Sequence, residues 1–213
     1  MKKKALLVLF ASLALITSAC GSSNDSANES NNSETANESE GKDTSSSSTK
    51  DEGNKESAVT NADNYATHIP LITEEKLELS DQSYEYIKAH IDLFPAKTPE
   101  TVTKVKQGID ASVTSKHLNK NATPYLETII SVSGSIVQIE EDALDDGTPI
   151  AIILLQDNEF NAFQAVMYNT TGDILEGDSI QIWGLPLGPS YFDNISGGTT
   201  NVQVLAASHV EKL

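Results

Sequence analysis

The sequence contains no arginine: its fourteen basic residues are all lysines, set against 31 acids for a formal net charge of −17. It has one cysteine, one tryptophan and two methionines, and aromatic residues make up only 6% of the chain. The lone Cys20 excludes an intramolecular disulfide and any multi-cysteine metal site. The excess of acid is uneven, and in residues 125–213 Lys212 is the only base against thirteen acids. Proteins that hold polyanions displace counterions with Lys and Arg, so charge argues against nucleic acid as a partner, and equally against anionic head groups and wall polymers. The apolar run at residues 5–16 has twelve residues, short of the roughly twenty needed to cross a bilayer.

What the chain does have begins at its first residues. Met1-Lys2-Lys3-Lys4 is basic, residues 5–16 are apolar, and Thr17-Ser18-Ala19 are small residues immediately before Cys20. This pattern resembles a bacterial lipoprotein signal peptide, with Thr17 standing where the usual pattern has leucine. The resemblance implies a signal peptide over 1–19, cleavage before Cys20, and a diacylglycerol thioether on that cysteine. A chain anchored in this way sits on the extracytoplasmic face of the cell membrane, its acyl groups holding it at about 0.8 kcal/mol per buried CH2. Residues 20–62 are Ser, Asn, acid and Lys with almost no large apolar residue, including the run Ser45-Ser46-Ser47-Ser48. Such a composition cannot offset the entropy of ordering, and the segment reads as a disordered acidic tether.

Residues 63–124 read as an extended lead-in over 65–79 followed by a helical hairpin. Ser80 is an N-cap with Asp81 in the first turn, and Tyr84, Ile87, Ile91 and Phe94 follow at helical spacing until Pro95. Thr98-Pro99-Glu100 repeats the start signal, with Val102, Val105 and Ile109 as the second stripe and an end expected near Ala111. Residues 125–213 read as five strands. The first, 128–139, is interrupted by Gly134. The next two are 149–155 and 162–168. The fourth opens at a Gly177-Asp178 turn and runs through Ile180, Ile182 and Trp183 to Gly184 and Gly188, and the last is 201–207.

The motifs Val132-Ser133-Gly134-Ser135-Ile136-Val137-Gln138-Ile139-Glu140, Gly184-Leu185-Pro186-Leu187-Gly188 and Ser196-Gly197-Gly198-Thr199-Thr200 resemble the OB-fold lipoproteins of Gram-positive bacteria, relatives of the anticodon-binding-like OB group. The resemblance implies a mainly β chain with a five-stranded OB-fold barrel over 125–213. Two departures stand out: residues 169–175 leave no room for a helix between strands three and four, and the basic residues of nucleic-acid-binding members are missing.

No nucleophile motif is present, and His68, His90, His117 and His209 fall in separate elements without metal-ligand spacing. The chain therefore reads as a non-enzyme with no cofactor. Glu140, Asp142, Asp145 and Asp146 form a weak calcium candidate without the ordered spacing of a calcium loop, and a solvated acidic turn is the plainer reading. The ligand-binding candidates are Ser190, Tyr191, Phe192, Asn194 and Thr199, in a long loop expected over 189–199, where aromatic rings could stack and hydroxyls and amides could orient a ligand. Alternatively, Tyr191 or Phe192 merely plugs the end of the barrel.

These readings combine into a membrane-anchored, non-catalytic binding module that presents an acidic surface to a protein or cell-envelope ligand. Two alternatives are a surface exclusion lipoprotein of a mobile element and a nucleic-acid-binding OB-fold. Oligomeric state has no sequence signal. Membrane fractions of cells producing the chain should contain it acylated at Cys20, whereas a soluble, cytosolic chain with a free thiol contradicts the anchor.

Overall fold

The computed structural model describes residues 53–213, with side chains from Asn61 onward. The expected signal peptide (1–19), the lipidation at Cys20 and the tether as far as residue 52 lie outside the described residues. Four helices come first: α1 (Gly53–Ile72), α2 (Asp81–Ala89), α3 (Pro99–Gln107) and α4 (Ser115–Lys120). Five strands follow: β1 (Ile130–Ala143), β2 (Pro149–Gln156), β3 (Ala162–Met167), β4 (Ser179–Asp193) and β5 (Thr199–Lys212).

The strands close into a barrel in the order β1-β2-β3-β5-β4, with β3 and β5 parallel and the other pairs antiparallel. β1 closes it by serving two neighbours. Residues 130–135 pair with β4 and residues 135–143 with β2, so the strand changes partner beside Gly134. A Cβ on Gly134 would run into the carbonyl of Gln156. Glycine is therefore required by the close approach of two backbones.

The barrel interior is filled by side chains alternating along each strand, among them Ile153 and Leu155 of β2, Phe163 and Ala165 of β3, and Leu205 and Ala207 of β5. No helix lies between β3 and β4, as the short connection implied. Leu118 of α4 and Val113 before it belong to the interior cluster instead, so the segment that fills this part of the core comes from upstream of β1. In α4 the Thr114 N–H donates to His117 Nδ1 at 3.1 Å, closing the helix start.

Two expectations for residues 53–79 need correction. The last ten residues of the expected tether and most of the expected extended lead-in form α1. Its buried residues Ala62, Tyr65, Ile69 and Ile72 fall three and four apart, a helical stripe. Pro70 sits in the last turn, where little helix remains to be broken. Thr73 Oγ1 then donates to the Ile69 carbonyl at 2.8 Å. The two-helix hairpin also changes partners: α2 packs along α1, while α3 lies against β5. The helix starts are where the sequence placed them. Ser80 Oγ accepts from Ser83 N at 3.1 Å, and Thr98 with Thr101 forms a capping box. α3 ends at Gln107, capped by Gly108, four residues before the expected stop.

The outward side of the sheet is also apolar. Ile152, Leu154, Val166, Val204 and Ala206 alternate with interior residues and are all buried. α1 reaches this side, where the Tyr65 hydroxyl lies 3.1 Å from the Val166 carbonyl and 3.5 Å from that of Ala207. Tyr65 also meets Tyr168 edge-on at 4.7 Å. Burial raises the pKa of both phenols, so each stays a neutral hydroxyl. Further along, Ser208 Oγ donates to the Leu93 carbonyl and the Ala96 N–H to that of Ser208. Replacing Gly134 by alanine should cost about 1–3 kcal/mol, read as a lower urea midpoint; an unchanged midpoint contradicts the close approach.

Candidate functional site

A groove of about 580 Å3 lies where the β2–β3 turn, the start of β5, the far part of β4 and α4 meet. Asn119, Gln156, Asn161, Asn201, Gln203, Ser190, Thr199 and Thr200 supply its polar lining, and neither an acid nor a lysine lines it. The nearby Glu159 is paired with Lys116 at 2.8 Å. The chain's strong net charge is thus kept off this surface.

The β2–β3 turn is built around Asp157. Its Oδ1 accepts from the backbone N–H groups of Glu159 at 2.9 Å and Asn161 at 2.8 Å, and its Oδ2 accepts from Ser115 Oγ at 2.7 Å. Partial burial pushes the carboxyl pKa up, but the hydrogen bonds from Ser115 and Asn161 outweigh it and hold the group below the ordinary aspartate value. The same turn carries Phe160 at φ 65° with 80% of its surface exposed. A left-handed conformation is costly for a bulky residue, and an exposed ring recovers none of that cost through core packing. Phe160 stands at the lip of the groove.

The five residues proposed from sequence separate. The expected loop over 189–199 is mostly strand, because β4 continues to Asp193 and β5 starts at Thr199. Ser190 is buried in the groove wall, and its Oγ has no hydrogen-bond partner. Thr199 also lines the groove. Tyr191 belongs elsewhere, with the Lys76 ammonium 4.5 Å over its ring. Asn194 holds the turn, its Oδ1 accepting from the N–H groups of Ser196 and Gly198 at 3.1 Å each. Phe192 is half-buried, so neither ring plugs the barrel as a fully buried side chain.

The weak calcium candidate does not assemble. Glu140 and Asp142 lie within β1 rather than in a turn. Glu140 accepts from Gln138, Asp142 from the Ala143 N–H and Asp146 from the Thr148 N–H. Among the described residues no group of three or more His, Cys, Asp or Glu is placed to hold a metal. Sequence reading missed Phe160, Asn119, Asn161 and Gln203. Only Phe160 carried a signal, as a large aromatic ending the polar run Asp157-Asn158-Glu159.

No protein-family model and no curated protein matches the chain. Solved structures do. A mitochondrial single-stranded DNA-binding protein from S. cerevisiae, Rim1, is 15% identical, with 40% of this chain and 95% of that one covered and a TM-score of 0.28. The second OB-fold domain of replication protein A from Methanococcus maripaludis is 14% identical, covering 39% and 82%, with a TM-score of 0.26. The N-terminal domain of an archaeal MCM is 11% identical, covering 76% and 93%, with a TM-score of 0.29. Likenesses this distant assign no activity to the chain.

The partner expected from charge needs correction on the geometry of the groove. A total of −17 does not say where the charges lie, so it is no ground for excluding nucleic acid from one surface of the chain. The uncharged groove shows why the total misleads here, because the acids do not line it. The acidic surface expected to meet a protein or envelope ligand is corrected with it, because the groove carries no acid.

Proposed function

We propose that this chain is a non-catalytic OB-fold module that takes up unpaired bases of a single-stranded nucleic acid in the amide-lined groove. Acylation at Cys20, implied by the first twenty residues, puts the module on the extracytoplasmic face of the membrane. OB-folds are five-stranded Greek-key barrels that bind oligonucleotides and oligosaccharides, and the strand order here fits that type.

The observation that carries the proposal is the pairing of an exposed Phe160 with an uncharged groove of amides and hydroxyls. A ring held out in solvent offers a stacking surface to a flat base, worth about 1–3 kcal/mol per base in proteins that bind single strands. Amides and hydroxyls match the donor and acceptor edges that an unpaired base leaves free. With no Arg or Lys in the lining of the groove, contact falls on bases rather than phosphates. The excess of acid over residues 125–213, thirteen against Lys212, repels the strand's backbone, so added salt screens that repulsion and strengthens binding, the reverse of a phosphate clamp.

Fluorescence polarisation with a labelled oligothymidine tests this directly. The full chain should bind the single strand in preference to duplex, more tightly as salt rises, and Phe160→Ala should weaken it roughly tenfold with an unchanged melting temperature. Equal affinity for duplex, or an unaffected alanine variant, contradicts the proposal.

A further inference from the structure

Three side-chain amides in the groove form a single line that ends on an unused acceptor. Asn161 Nδ2 donates to the Asp157 carboxylate, at 3.0 Å to Oδ1 and 2.8 Å to Oδ2. Asn119 Nδ2 donates to Asn161 Oδ1 at 2.9 Å. Gln203 Nε2 donates to Asn119 Oδ1 at 3.1 Å. Gln203 Oε1 is then left over, buried and without a partner, on a residue with only 5% of its surface exposed.

The direction of this line is set at one end. An ionised carboxylate can only accept, so Asn161 must turn its NH2 toward Asp157 and its oxygen toward Asn119. The same constraint passes to Asn119 and then to Gln203. Turning any one amide over would set two oxygens or two NH2 groups against each other. The hydrogen bonds that hold the Asp157 pKa down keep the anchor ionised at neutral pH. Gln203 Oε1 is thus an acceptor by construction, and an unmet buried acceptor is costly to keep. Ser190 Oγ, on the neighbouring strand and also unpartnered, can donate or accept.

We propose that Gln203 is a specificity-determining residue of the groove, its Oε1 accepting a hydrogen bond from an N–H on the edge of an unpaired base, with Asp157 as the positioning residue that fixes its orientation. This rests on the nucleic-acid reading above and adds the chemistry of the recognised edge. Thymine and uracil offer such a donor at N3.

The test compares an oligothymidine with the same oligomer carrying N3-methylthymine, which keeps the ring face and phosphates but loses the N–H. The full chain should bind the methylated strand at least about tenfold more weakly, because the acceptor is left unmet. In Gln203→Leu, which removes the acceptor, that difference should shrink towards onefold; a melting temperature reports whether this variant stays folded. Equal affinity of the wild-type chain for both strands overturns the role of Gln203 and leaves the nucleic-acid reading standing. A full difference retained in folded Gln203→Leu marks a steric effect of the methyl group and also overturns the role. No binding of either strand overturns the nucleic-acid reading and this inference together.

Discussion

A sheet that is apolar on both sides has to be covered twice, and that requirement shapes the rest of this molecule. The interior side of β2, β3 and β5 is met by closing the barrel. The outward side, with Ile152, Leu154, Val166 and Val204, is buried as well, and α1 reaches it through Tyr65. α1 contributes its stripe of Ala62, Tyr65, Ile69 and Ile72, and Tyr65 adds a hydroxyl to strand carbonyls. Buried apolar area of this kind is the main favourable term in folding. Uncovered, it would be an exposed patch of the sort that drives association.

That covering also decides where a ligand can go. OB-folds commonly bind across the face of strands two and three, but here the outward residues of those strands are buried. The open surface lies at the end of the barrel instead, where α4 and the β2–β3 turn meet the start of β5. The site depends on α4 because Ser115, Lys116 and Asn119 tie it to Asp157, Glu159 and Asn161. One short helix upstream of β1 thus adds Leu118 to the core and Asn119 to the groove.

The barrel was legible because its signals are local. Alternation located all five strands, Gly134 marked the change of partner in β1, and Ser80 and Thr98 announced two helix starts. α1 was missed because its stripe of four residues crosses a boundary between a polar composition and an apolar one, and because Pro70 reads as a break. The groove was missed for a different reason. Asn119 and Gln203 are 84 residues apart, and Asn119 and Asn161 42 apart, so no window of sequence contains the constellation. Net charge misled in the same way, since it sums over a surface without saying which parts of it line a site.

The central claim is that ligands meet the end of the barrel while α1 stays in place. Amide chemical shifts of the full chain, followed as oligothymidine is added, test it most directly. The expected result is movement of resonances around Phe160, Asn161 and Gln203, with Tyr65, Ile152 and Val166 unchanged. Movement centred on Ile152, Val166 and α1 would mean that the helix leaves the sheet to admit the ligand, and would contradict the account.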